Sequence, residues 1–435
     1  MQPISDVSFF RFESLNTACY YSIKPGPDDV FIRRRTIPGV YSMNRTGACK
    51  MLEYVERKGT SCSKWDGLSE TFGAADLLPL WVADMDFKVD SAISGAVSDY
   101  LEAGVFGYYT VPAGYYEAFI EWEKSEHGFT VDSEWIGYSP GVVSGFNFAV
   151  QVLTDPGDAV IVNTPVYYPF LHAVENNGRR LICSELINDD GRYYIDFEDF
   201  ERRIIDNNVR AFILCSPHNP VSRVWSPDEL KHLLDICRRH AVSVISDEIH
   251  HDLTFGGAVH TPTLSIAEEN DRIIMFTSAS KTFNLAAFKN SFAVIRDPEL
   301  KSEWDRFMKG LRISGGNPLG YIAAEAAFRH SKPWLEELKT AVQRNYDHIC
   351  SEFALKLPGV RMTPLEATYL AWADFGAYFT PDELQPFMQD KCGLAFDYGN
   401  WFGGDRSGSF IRINLATSYE NIEEMIRRIV QGLSV

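Results

Sequence analysis

Five short apolar runs, rich in β-branched residues, constrain this chain most: DAVIVNTP at 158–165, AFILCS at 211–216, AVSVISDE at 241–248, RIIMFTS at 272–278 and SFAVI at 291–295. Each is apolar on both faces, and stretches with a helical period separate them. Strands buried on both sides and joined by helices imply an α/β fold, a mostly parallel sheet with helices on both faces. One connecting helix is well marked. Ser226 suits the N-cap, Pro227 the first helical position, and Glu229 closes a capping box. Leu230, Leu233, Leu234 and Cys237 then follow at helical spacing and give that helix one apolar face.

A chain of 435 residues has room for two lobes. Residues 1–50 mix KPGPDD, RRR and scattered aromatics without a sustained period, and are expected to be a disordered extension. Residues 51–97 are expected to form an N-terminal arm and part of a small domain, and 98–325 the large domain. Residues 326–435 are expected to form a smaller α+β domain. There, PWLEELKTAVQRNYDHICSEFALKL has a helical pattern, TYLAWADF and SFIRINLA read as strands, and a last helix is expected from about Asn421. The net charge of −18 argues against a nucleic-acid partner, because an acidic surface repels phosphate backbones. The eight cysteines form no CxxC pair, so neither a zinc site nor a disulfide framework is indicated. Asp6 stands where a signal peptide would carry positive charge, and no run suits a membrane span, so a cytoplasmic protein without a membrane partner is expected.

In a parallel sheet the residues just after each strand gather along one edge, where ligands bind. Those segments are SPHNPVSR, DEIHH and SASKTFN, and they bring Asn219, Asp247 and Lys281 together. An amine, a carboxylate and an amide on one crevice suit pyridoxal 5'-phosphate (PLP). Lys281 would form a Schiff base with its aldehyde, Asp247 would keep its ring nitrogen protonated, and Asn219 would bond its phenolic oxygen. Its phosphate would lie on the amides of Val142 and Val143, at the start of a helix in SPGVVSGFNFAV, with Ser278, Ser280 and Lys289 adding hydroxyls and a cation. The cluster DEIHHD also raises the question of a metal. Adjacent histidines point apart and no further group supplies ligands at the right spacing, so no metal is expected. His250 is expected to pack beside the cofactor and His251 to be structural.

The stretches KWD, PLWVADMDF, SPHNP, SDEIHHDL, SASKTFNLA and IRINLA occur in that order, and together they resemble the fold type I PLP enzymes, specifically the carbon–sulfur β-lyases of the MalY/PatB type. The resemblance runs from about Met51 to the C-terminus. It implies that Tyr167 stacks on the cofactor ring, that Ala83 borders the substrate, and that Arg412 clamps the substrate α-carboxylate. It further implies a homodimer in which Tyr108 reaches the phosphate of the neighbouring subunit's cofactor. The expected reaction is cleavage of L-cystathionine or another L-cysteine S-conjugate to a thiol, pyruvate and ammonia. An aminotransferase is the alternative, and a non-catalytic regulatory protein retaining the fold is a more distant one. Three positions depart from the family pattern, where Ser222, Ala287 and Ser409 replace glycines. Inside FIRINLA a guanidinium needs an anion, and an internal Asp competes with substrate for that role. GNWFGGDRSG, at 399–408, reads as a mobile loop near the site entrance.

Overall fold

Strands with apolar residues on both faces need a core on each side, and the main sheet has both. The computed structural model describes residues 51–313 and 315–434, so the expectation for residues 1–50 lies outside the described range. Among the described residues the main sheet has seven strands: β1 (Ile136–Ser139), β2 (Ala159–Thr164), β3 (Arg180–Glu185), β4 (Val209–Cys215), β5 (Ser243–Asp247), β6 (Ile273–Thr277) and β7 (Ser291–Val294). Their order across the sheet is β1-β7-β6-β5-β4-β2-β3. Neighbours from β6 to β3 are parallel, whereas β7 runs antiparallel to both β6 and β1. Along β2, Ala159 and Ile161 face one core while Val160 and Val162 face the other, the period of two that a pleated strand imposes.

The five expected strands are all present. β1 and β3 are additional, and both lie at the sheet edges, where partial burial leaves a weaker apolar signal. The helix Pro227–Arg239 forms as its sequence dictates, with the Ser226–Glu229 capping box in place and Leu230, Leu233, Leu234 and Cys237 buried.

A second sheet is antiparallel, built from β8 (Arg361–Met362), β9 (Leu370–Asp374), β10 (Asp397–Tyr398) and β11 (Phe410–Asn414) in the order β8-β9-β11-β10. The helices Lys332–Lys356 and Tyr419–Leu433 pack on each other beside it. The last helix starts two residues before the expected Asn421. Ser418 is its N-cap, and the Asn421 N–H it accepts belongs to the first turn.

Candidate active site

Strand register brings the chemistry together. Cys215 of β4, Asp247 of β5 and Phe276 of β6 lie level, so the segments leaving the three strands emerge side by side. Asp247 is 5% exposed, and among the described residues its side chain accepts one hydrogen bond, from the Ile249 N–H at 3.1 Å. Burial raises its carboxyl to about 7, against the pull of that N–H and of Lys281. Lys281 lies in the single helical turn Ala279–Thr282, whose cap Ser278 accepts the Ser280 N–H. Its Nζ donates to the Ala83 carbonyl at 2.5 Å. Burial, together with Arg412, lowers the ammonium to about 8, although Asp84 and Asp247 oppose the shift.

The residues after β5 divide between two environments. His250 stays with Asp247. It is buried, and burial, with Lys281 and Arg412 nearby, pushes its imidazole well below its ordinary value, so it is neutral. Glu248, His251 and Asp252 enter a buried polar cluster on the other side. Glu248 binds His260 Nε2 at 2.8 Å, and Asp252 accepts from Trp122 Nε1 at 2.9 Å and Thr282 Oγ1 at 2.6 Å while lying 2.8 Å from His127 Nε2. His251 stands between Asp252 at 3.3 Å and Glu123 at 3.5 Å. Burial works against its charge, but these two carboxylates outweigh it and raise the imidazole to about 10. The cluster thus braces the Lys281 turn from behind, through Thr282. Glu123, His127 and His251 are near enough to hold a metal, a grouping that spacing in the sequence did not reveal because Glu123 and His127 come from a distant helix.

Arg412 of β11 is 2% exposed. Its Nη1 donates to Asn219 Oδ1 at 3.2 Å, and its Nη2 donates to the Trp81 carbonyl at 3.0 Å and to Asp397 Oδ2 of β10. The internal aspartate considered as a competitor for this guanidinium is therefore present. Phe402 lies under the guanidinium, 5.1 Å from Cζ to ring centroid, and is fully buried. The stretch 399–408 is thus anchored at Phe402, whose carbonyl accepts the Val166 N–H at 2.8 Å, and is not simply the mobile loop that its glycines implied. Tyr167 donates its N–H to the Asn219 carbonyl at 3.0 Å, and its hydroxyl feels both Arg412 and Asp247.

Side chains from four parts of the chain hold the loop bearing Ala83. Asn414 Nδ2 donates to the carbonyls of Val82 and Asp84, each at 2.6 Å. Asn284 pairs with both the N–H and the carbonyl of Met85 at 3.1 Å. Asp86 accepts from Lys64 Nζ at 2.6 Å and Trp65 Nε1 at 3.0 Å, which gives KWD and PLWVADMDF one joint role. Tyr369 Oη donates to the Ala83 carbonyl at 2.8 Å, and its ring stands edge-on to His250. Sequence reasoning missed Tyr369 and Asp397. Each precedes or opens a strand, where an aromatic or a carboxylate carries no distinguishing spacing.

On the other side, the helix Val142–Leu153 begins after Gly141, whose φ of 93° only glycine adopts easily. Among the described residues no side chain caps this helix, which leaves the amides at Val142 and Val143 available to an anion. Register sets Ser291 opposite Ser139, and Thr277 opposite Phe292, so Ser278 lies beside this helix start. Ser278 Oγ donates to the Asn290 carbonyl at 2.5 Å and lies 2.8 Å from Ser280 Oγ. Lys289 is exposed, with a φ of 48°. Tyr108 is fully exposed, between exposed Phe106 and Tyr109.

Residues 98–429 match the family described as aminotransferase class I and II. The chain belongs to that family. It is 41% identical over 381 residues to cystathionine beta-lyase PatB of Bacillus subtilis (strain 168), covering 87% of this chain and 98% of the relative. It is 30% identical to protein MalY of Escherichia coli (strain K12), covering 87% and 97%. Its fold superposes on cystalysin from Treponema denticola, a structure described as containing a pyridoxal 5'-phosphate cofactor, with a TM-score of 0.85, 35% identity, and 88% and 98% of the two chains covered.

In this class I and II aminotransferase family member the three replaced glycines have separate explanations. Ser222 does occupy a left-handed φ of 55°, and its Oγ donates to the Leu370 carbonyl at 2.6 Å, which offsets the strain. Ala287 lies in the 3-10 turn Ala286–Phe288 at negative φ, where alanine fits without strain. Ser409 donates its Oγ to Asp374 at 2.9 Å.

Proposed function

We propose that this chain is a PLP-dependent carbon–sulfur β-lyase that converts L-cystathionine, or a related L-cysteine S-conjugate, and water to a thiol, pyruvate and ammonia. The observation that carries this reading is the convergence of Lys281, Asp247 and Arg412 on one crevice in a chain so similar to a cystathionine β-lyase. The donor set fits the cofactor at three points. Lys281 is an amine depressed to about 8, able to take an aldehyde near neutral pH. Asp247 is a buried carboxylate with one hydrogen bond among the described residues, suited to a cationic ring nitrogen. The uncapped start of Val142–Leu153, with Ser278 and Ser280 beside it, suits a phosphate, and Lys289 would add a cation. Asn219 and Tyr167 would flank the ring, with neutral His250 packed near it.

Bound there, PLP would supply an electron sink for the charge that develops at the substrate's Cα. Arg412 holds the α-carboxylate and so fixes which Cα bond is aligned to break. Lys281 Nζ, kept partly neutral by burial, takes the proton from Cα as general base. The Ala83 carbonyl, steadied by Tyr369, aims that amine. We further infer that the partner is a second copy of the chain. Val105, Phe106 and Tyr108 form one exposed apolar stretch suited to burial at an interface, and Tyr108 would then meet the neighbouring site's phosphate. We place the reaction in the cytoplasm, where the free cysteines among the described residues stay reduced.

Incubation with L-cystathionine and no keto acid tests the reading. Sustained, equimolar pyruvate and homocysteine release is expected. One keto acid per site followed by arrest would make the protein an aminotransferase, and a purified protein without a visible cofactor band would leave only a binding role. Lys281→Ala is expected to lose both the band and pyruvate release, the latter by at least about 10²–10⁴-fold, the range for a general base.

A further inference from the structure

A guanidinium offers a carboxylate two forked edges, Nη1–Nη2 and Nε–Nη2, because its third edge carries Cδ. Both forks use a hydrogen on Nη2. In Arg412 the two Nη2 hydrogens go to the Trp81 carbonyl and to Asp397 Oδ2, and one Nη1 hydrogen goes to Asn219. What remains among the described contacts is the second Nη1 hydrogen and an Nε–H that is buried without a partner. Those two do not form a fork. A two-pronged α-carboxylate can therefore enter only when Nη2 gives up one of its present acceptors. The Trp81 carbonyl belongs to the backbone, just ahead of a loop pinned by Asn414 and Asn284, whereas Asp397 is a side chain with one oxygen, Oδ1, buried and unpartnered.

Resting on the assignment of Arg412 to the substrate carboxylate, we propose that Asp397 is an internal stand-in for that carboxylate, holding the Arg412 fork until the substrate displaces it. Asp397 is 1% exposed, so once separated from Arg412 its charge has neither water nor a cation, and it takes up one proton from solvent. Burial already raises it to about 6 while it is paired with Arg412, and release from that pairing raises it further. The titratable groups whose hydroxyls face it are Tyr167, Tyr168 and Tyr398, all raised by burial and neutral in this range. Lys281 and His250 face Arg412 from the other side. Carboxylate binding is thus coupled to proton uptake above about pH 6, and Asp397 acts as a positioning and affinity-setting residue without touching the reacting atoms.

The test uses the holoenzyme and 3-(methylthio)propionate, which has the carboxylate and thioether but no amine, as a competitive inhibitor of cystathionine cleavage. In the unaltered enzyme its Ki is expected to rise by up to about tenfold per pH unit between about pH 7 and 8, the signature of one linked proton. Asp397→Asn keeps the shape and removes the charge. It is expected to tighten the probe about tenfold or more at pH 8, flatten the pH slope, and lower KM more than it changes kcat. S-methylcysteamine, which lacks the carboxylate, should bind the two proteins alike. Asp397→Ser serves the same comparison if the amide variant does not fold. An Asp397 variant that keeps the original Ki and slope, or binds the probe more weakly, overturns the proposal. An Arg412→Lys enzyme with unchanged Ki would instead remove the carboxylate assignment on which it rests, a result distinguishable because Asp397 is intact there.

Discussion

A carboxylate as buried as Asp247 burdens the protein even with Lys281 nearby, because the cost of burial outweighs that attraction. Its folded value of about 7 lies above the ordinary carboxylate value, so between about pH 4 and 7 the folded state binds more protons than the unfolded chain, and stability falls as pH rises through that window. Cofactor-free Asp247→Asn protein is therefore expected to be more stable than the parent at pH 7, by about 1–4 kcal/mol on the scale of 1.4 kcal/mol per pKa unit. The two should converge near pH 4, and chemical denaturation at both pH values checks this. The same substitution should weaken cofactor retention. Lys281, Asp247, Asn219 and Arg412 were legible in the sequence because each follows or interrupts an apolar run where an idle polar group is unfavourable. Tyr369 and Asp397 were not, since aromatics and single acids at strand ends are common and their roles depend on what the folded chain sets opposite them.

At the level of elements, the helix Val142–Leu153 can serve the site only if it lies close to the sheet. Gly145 allows this, because a Cβ there would stand 2.5 Å from the Phe276 ring and 2.8 Å from Ser139 Oγ. Gly145→Ala is expected to destabilise the fold by about 1–3 kcal/mol through overpacking and to weaken PLP binding as the helix start moves outward. Urea denaturation and a cofactor titration measure the two effects. Behind the Lys281 turn, His251 is raised to about 10 from an ordinary 6.5, so its stabilising charge is full below pH 6.5 and lost as pH climbs through about 10. His251→Gln leaves Asp252 and Glu123 without that cation and should cost about 3–5 kcal/mol at pH 7, as breaking a buried ion pair does. Thermal scans should show the gap between parent and variant closing toward alkaline pH. A gap that stays constant with pH would mean His251 is neutral in the folded protein.

For the molecule as a whole, the exposed Tyr108 stretch makes a prediction about assembly. If one chain supplies Lys281 and the other Tyr108, equal mixing of inactive Lys281→Ala and Tyr108→Ala chains should restore about a quarter of parental activity, since half the dimers are mixed and each has one intact site. Recovery near zero would show that each chain completes its own site. The sequence by itself determined the mostly parallel sheet, the Ser226-capped helix and the set of side chains at the sheet edge, because apolar period and capping chemistry are local and act within a few residues. The tertiary structure decided what those side chains do. That Asp397 holds Arg412 is a pairing between neighbouring strands, and that Glu123 and His127 meet His251 and the Ala83 carbonyl receives Lys281 are pairings across more than a hundred residues. Such pairings are set by packing of the whole chain, which no local pattern encodes.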